Sequence, residues 1–211
     1  MKVAVSYLGC KNIANTIIEL DKTDVDFIHV DVMDGKYVKK KTMSFSDLSS
    51  INHYTQKRLD VHFMVRKPLK YIDDYAMLNV FCMSFHLDIK DNLDKVIERT
   101  KMYGIKVGLV LNPDDEVEKI YPYLDKIDMV LVMTVVPGLP GQEMIMSVLP
   151  KIKALRKKFT EEKRNILISV DGGVNLDNRH WLHDVDIITS GSCITKSDNY
   201  QKIITELRDF D

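Results

Sequence analysis

The chain has 211 residues, enough for one domain with a full core. Lysine plus arginine (30) nearly balance aspartate plus glutamate (31), an evenness that argues against a broad electrostatic footprint for nucleic acid or membrane. Cys10, Cys82 and Cys193 are widely spaced and form no CxxC, which argues against a disulfide framework and for a reducing, cytoplasmic setting.

In chain order, Lys2 to Ser6 is short and valine-rich, a first strand. Its N-terminus lacks the long apolar region of a signal peptide, and no apolar run reaches the roughly 18 residues of a membrane span. Ile13 to Leu20 has helical spacing. Asp26 to Met33 reads as the second strand, and Lys36 to Ser50 as a long loop with a short helix. Arg58 to Val65 is the third strand, followed after Lys67-Pro68 by a helix from about Leu69 to Met77. Phe81 to Leu87 is the fourth strand, and Asn92 to Tyr103 a helix stopped by Gly104. Ile105 to Leu111 is the fifth strand, ended by Asn112-Pro113. Val117 to Leu124 reads as helical despite Pro122. Met129 to Val135 is the sixth strand, Pro137 to Gln142 a Gly/Pro loop, and Met144 to Phe159 a helix with a basic C-terminal half. Ile166 to Val170 is the seventh strand, Leu176 to His183 a short helix, Val185 to Ser190 the eighth strand, and Tyr200 to Asp209 the last helix. Eight strands, each followed by something helical, predict an α/β fold: a single-domain (β/α)₈ TIM barrel over residues 1–211. A doubly wound open sheet reads much the same from sequence. No internal repeat stands out.

The polar residues collect at strand C-termini. In F-I-H-V-D-V-M-D-G (27–35), period two puts His29, Asp31 and Met33 on one face. In R-L-D-V-H-F-M-V (58–65) it does the same for Asp60, His62 and Met64. The first strand ends at Ser6, the sixth reaches Met133, the seventh stops at Asp171, and the eighth at Ser190-Gly191-Ser192. In a barrel these ends share one mouth, so His29, Asp31, His62 and Asp171 could converge on one divalent ion. Each has a plainer alternative. His62 could be a hydrogen-bonded core histidine and Asp171 a turn former. The three methionines could be core filler, and Asp60 takes no assigned role. His86 reads as structural, and His53, His180 and His183 as surface residues. A second feature points to phosphate. Gly138, Gly141, Gly172, Gly173, Gly191 and Ser192 lie in the last three strand-to-helix loops, where glycine lets backbone N–H groups approach an anion.

Together, H-V-D-V-M-D-G (29–35), L-D-V-H-F-M-V (59–65), G-L-V-L-N-P (108–113), V-M-T-V-V-P-G-L-P-G-Q (132–142), V-D-G-G-V-N (170–175) and S-G-S (190–192) resemble the ribulose-phosphate 3-epimerase family. The resemblance runs in register from Ser6 to Ser192. It implies an oligomeric, metal-dependent isomerase barrel acting on a small sugar phosphate. Such an enzyme interconverts D-ribulose 5-phosphate and D-xylulose 5-phosphate, in the pentose phosphate pathway, by two-aspartate proton transfer at C3 through a metal-stabilised enediolate. It implies His29, Asp31, His62 and Asp171 as ligands of a divalent metal; two-His, two-Asp ligation suits Zn²⁺, with Fe²⁺, Mn²⁺ or Co²⁺ as alternatives, because ligand type alone does not fix the metal. Asp31 and Asp171 would double as the acid/base pair. Ser6 would touch substrate, Met33, Met64 and Met133 would line the wall, and Gly141, Gly172, Gly173, Gly191 and Ser192 would hold phosphate.

Two stretches depart from the family pattern. Lys36-Tyr37-Val38-Lys39-Lys40 stands where H-F-V-P-N is usual, and P-G-L-P-G-Q replaces P-G-F-G-G-Q, which puts Pro140, without an N–H, in the lid. These departures keep two alternatives open: an allulose-6-phosphate 3-epimerase, and a catalytically silent sugar-phosphate binding protein. An aldolase or decarboxylase is disfavoured, since no strand ends in the lysine a Schiff base needs, and Asp31-Val32-Met33-Asp34 lacks the lysine of a D-x-K-x-x-D motif.

Overall fold

The valine-rich segments do pair as strands in a computed structural model, which describes residues 1–209; the last two residues of the expected domain lie outside the described ones. The strands are β1 (Lys2–Ser6), β2 (Phe27–Met33), β3 (Arg58–Met64), β4 (Val80–His86), β5 (Lys106–Leu111), β6 (Met129–Met133), β7 (Leu167–Asp171) and β8 (Ile187–Ser190). They pair in sequence order, all parallel, and β8 returns to β1 to close the barrel. The helices are α1 (Ile13–Asp21), α2 (Phe45–Ile51), α3 (Ile72–Tyr75), α4 (Leu93–Lys101), α5 (Leu149–Glu161), α6 (Ser192–Thr195) and α7 (Tyr200–Arg208). Among the described residues no helix is long and apolar enough to cross a membrane.

Period two gives each strand two buried faces. Val3, Val5, Ile28, Val30, Val61 and Phe63 join the large core between strands and helices. Ala4, Phe27, Cys82, Met129 and Ile187 form a separate apolar cluster with Phe81 inside the barrel. There the Phe27 and Phe81 rings stack at 4.2 Å, with Lys2 and Arg58 cations over them, so the N-terminal end of the barrel is plugged. The three nine-residue helices, α1, α4 and α7, start on asparagine. Asn12, Asn92 and Asn199 each accept a bond from a backbone N–H three residues on, satisfying one of the helix's free donors. α4 then buries Leu93, Val96, Ile97 and Thr100, one stripe of a 3.6-residue period.

A repeated clamp closes the plugged end. Asp26, Asp128 and Asp186, each just before an even-numbered strand, accept a bond through Oδ2 from the N–H of Val3, Val107 and Ile168 on the preceding strand. Their own N–H groups return bonds to the carbonyls of the same three residues. Before β4 the position is Asn79, whose carbonyl accepts from Leu59 N and whose side chain reaches Gln56. This periodicity of two strands does not show as a repeat in the amino-acid sequence.

Four expected helices come out shorter or tighter. The segment 69–77 is a 3₁₀ turn at Pro68–Lys70 followed by the four-residue α3. Val117–Tyr123 is 3₁₀, because Pro122 has no N–H to continue an α ladder. The helix expected from Met144 begins at Leu149, with Pro150 in its first turn. Before it, Ile145 N is tied to Thr134 O at the end of β6. The short helix at 176–183 narrows to a 3₁₀ turn, Arg179–Leu182.

Candidate active site

Strand register brings the polar residues together at the open end. β2 and β3 pair His29 with Asp60, Asp31 with His62, and Met33 with Met64. Ser6 pairs with His29, and Met133 with Asp171. His29 Nε2 lies 3.5 Å from Asp31 Oδ1 and 3.6 Å from Asp171 Oδ2. His62 Nδ1 lies 3.3 Å and 3.6 Å from the same two oxygens. One donor atom from each residue falls within 4.8 Å of all the others. Both imidazoles are fully buried, and the two carboxylates show little surface.

This set fits a divalent cation. His29 Nε2 and His62 Nδ1 are buried without a hydrogen-bond partner, and such orphaned atoms in a core need an explanation. Around a zinc-sized ion with ligands at roughly 2.0–2.1 Å, the edges of a tetrahedron are roughly 3.3–3.4 Å, and the four nitrogen–oxygen separations given above lie close to that. Protein charges alone already couple the group. Burial pulls the His29 pKa down, but the Asp171 and Asp31 carboxylates outweigh it and hold the imidazole well above its ordinary value. Burial works to raise the Asp31 pKa, yet His29 and His62 beside it hold the carboxyl well below the usual range.

Two neighbours orient these donors. Ser6 Oγ donates to Asp31 Oδ2 at 3.0 Å, leaving Oδ1 to face the histidines. Buried Asp60 lies 2.8 Å from His29 Nδ1. A carboxylate only accepts, so Nδ1 carries a proton and Nε2 is the nitrogen turned to the cluster, able to offer its lone pair to a cation. Sequence gave Asp60 no role, because alternation shows only that it shares a face with His62; its partner lies across a strand pair. Asp60→Ala should weaken divalent-metal affinity by about 10–100-fold, measured by competition with a metal-sensitive dye, with the barrel still folded by circular dichroism. Unchanged affinity would show that Asp60 does not hold the ring.

Above the four donors opens a cavity of about 970 Å³. Ser6, Asp31, Met64, Met133, Gly138, Gly141, Asp171, Gly172, Gly173, Gly191 and Ser192 all line it. Met33 is not among the lining residues and is 3% exposed, while His29 and His62 are buried beneath the floor. Lys11, Asn175, Asn178, Trp181 and Lys196 also line it, and the sequence had not singled them out. The turn after Asp171 requires glycine. Gly172 has φ +117° and a Cβ there would overlap the Val135 side chain; Gly173 has φ +67° and its Cβ would stand 2.5 Å from Met144 N. Over the mouth, Pro140 stands where a side chain on Gly9 would touch it, and the Gln142 amide donates to the carbonyls of Val136 (2.7 Å) and Leu139 (2.9 Å). The loop carrying Pro140 is therefore braced by its own side chain.

Comparison with known proteins agrees with this geometry. Residues 2–195 match the ribulose-phosphate 3 epimerase family. A ribulose-phosphate 3-epimerase of Bacillus subtilis is 37% identical, over 99% of this chain and 98% of its own. One of Buchnera aphidicola is 40% identical, over 92% and 87%. Among solved structures, 3-hexulose-6-phosphate synthase from Salmonella typhimurium superposes with a TM-score of 0.70 at 17% identity, covering 98% of this chain and 96% of its own, a likeness of fold.

Proposed function

The chain belongs to the ribulose-phosphate 3-epimerase family, whose members are isomerases acting on carbohydrates, and from that premise we propose that it epimerises D-ribulose 5-phosphate and D-xylulose 5-phosphate at C3. The observation that carries this reading is the convergence of two histidines and two aspartates on one point at the floor of the cavity. His29, Asp31, His62 and Asp171 would hold a divalent cation. Zn²⁺ suits a tetrahedral nitrogen and oxygen set, and Fe²⁺, Mn²⁺ or Co²⁺ accept the same donors. A cation bound there supplies Lewis acidity toward the carbonyl end of the substrate.

The chain's own residues move the proton. One aspartate, ionised, takes it from C3; the other, protonated, returns one to the opposite face, and the roles swap in the reverse direction. Asp31 and Asp171 suit this because both reach the cavity from different strands. Ser6 fixes which Asp31 oxygen is free. Met64 and Met133 give a wall that cannot take up the proton. Gly172, Gly173, Gly191 and Ser192, with Gly141 and Gly138 above, would present backbone N–H groups to the phosphate, and Met33 would support the wall from behind.

The test is isotope exchange. In deuterium oxide the metal-loaded protein should place deuterium at C3 of ribulose 5-phosphate and form xylulose 5-phosphate, read by proton NMR. Allulose 6-phosphate is run in parallel, because Pro140 lines the cavity and Val38, in the altered 36–40 stretch, lies beside the lining residue Gly138. Faster exchange of the six-carbon sugar would move the assignment to that substrate. Exchange in neither, with sugar phosphate still bound, would make the protein a silent binder.

A further inference from the structure

A line of polar side chains runs from the barrel rim to the back of His62. Tyr37 Oη donates to Asp88 Oδ1 at 2.7 Å. Asn112 Nδ2 donates to Tyr37 Oη at 3.5 Å. The Asn112 amide oxygen and His86 Nδ1 are both buried and neither has a hydrogen-bond partner within ordinary distance; Asn112 is the neighbour that favours a proton on the His86 ring. His86 Nε2 then lies 2.8 Å from His62 Nε2. The Tyr37 ring packs on His86 at 4.6 Å between centroids, and His86 is fully buried. The Asn112 backbone is pinned as well: its N–H donates to Asp115 Oδ2 at 2.9 Å, and its carbonyl accepts from Lys151.

The direction of each bond follows from the outer end. Asp88, as a carboxylate, only accepts, so the single Tyr37 proton points at it. Tyr37 oxygen must therefore accept from Asn112, which fixes the amide with its NH₂ outward and its oxygen toward His86. That oxygen calls for a proton on His86 Nδ1 and leaves a lone pair on His86 Nε2. The short contact between two ring nitrogens then needs its proton on His62 Nε2, and His62 Nδ1 is the nitrogen that faces Asp31 and Asp171 and can offer its lone pair to a cation.

We propose that His86 is a positioning residue. It is held as the Nδ1–H tautomer by Asn112 and Tyr37, and it fixes His62 as the Nε2–H tautomer with Nδ1 free to bind the cation. The inference rests on the reading of His62 as a metal ligand. It gives the two histidine ligands opposite arrangements: His29 binds through Nε2 with Asp60 behind it, His62 through Nδ1 with His86 behind it.

Nitrogen-15 NMR of histidine-labelled protein, metal-free and loaded with Zn²⁺, reads the tautomers directly. His86 should carry its proton on Nδ1 in both states, and zinc-loaded His62 on Nε2. Zinc affinity should fall by about 10–100-fold in His86→Phe and recover in His86→Gln, whose amide oxygen can accept from His62. Tyr37→Phe keeps the ring stack but frees Asn112, and the His86 nitrogen shifts should move toward averaged values. A proton on His86 Nε2 in the unaltered protein would overturn the proposal. So would equal zinc affinity in the Phe and Gln variants, which would reduce His86 to packing. If the chain bound no zinc, the metal-site reading would fall, and the metal-free His86 tautomer would still decide this one.

Discussion

Asp171→Asn should lower the rate of ribulose 5-phosphate epimerisation by between about 10²- and 10⁴-fold, the range that a positioned general acid or base contributes. Asparagine keeps the size of the side chain and an oxygen that can still face the cluster, so the loss reports on the proton and not on the cavity. The sharper signature lies in exchange. With one of two bases removed, the remaining one can still remove a proton from the epimer that presents C3 to it and return deuterium to the same face. Asp171→Asn should therefore exchange C3 of one epimer and not the other, and Asp31→Asn should show the reverse preference. Zinc content is measured in both, since each residue is also a proposed ligand. Full turnover in either variant would end the two-base scheme, and identical exchange patterns would point to a single base.

Removing the metal is the second large effect expected. A Lewis acid at the carbonyl end is worth several kcal/mol, and each 1.36 kcal/mol is tenfold in rate, so chelation should cost at least about 10³-fold in activity and adding Zn²⁺ should restore it. The same treatment has a readout apart from catalysis. A ligand present at 100 times its dissociation constant stabilises a fold by about 2.7 kcal/mol, which for a chain of this size raises the unfolding midpoint by about 5–10 °C. His62→Ala should lose that shift, because it removes one donor and leaves the orphaned charges of Asp31 and Asp171 beside His29. Full activity in protein shown by elemental analysis to hold no divalent metal would remove the cation from the reaction.

Much of the barrel could be read from the chain because parallel strands buried on both faces carry near-continuous apolar runs, and β5 and β6 do so plainly. Boundaries near prolines were harder. Pro122 and Pro150 sit in apolar patterns with helical spacing, but spacing says nothing of a missing N–H, and both segments tighten or start late. His29, Asp31 and His62 were legible because period two sets polar side chains on one face of β2 and of β3, and Asp171 because it ends β7 at the same mouth. What was not legible is which groups stand across from each other. The His29–Asp60 and His62–His86 contacts depend on the register of neighbouring strands, and no local pattern encodes it. Pro140 was read as a loss of donor and of freedom in the lid. The structure adds that Gln142 satisfies two carbonyls of that loop, a compensation visible only once the loop folds back on itself.

The aspartate clamps at the plugged end bear on the order in which the barrel assembles. They join residues only 23, 21 and 18 positions apart in sequence, and loops of that length close at modest entropic cost. The seam that pairs Lys2 with Ile187 spans almost the entire polypeptide. Short-range contacts form ahead of distant ones, so hairpin-sized parcels, β1 with β2, β5 with β6 and β7 with β8, are expected to condense first, and the ring to be sealed last along β8 and β1. Ser6 and Gly191 flank that late seam, so the catalytic mouth is complete only when the circle is.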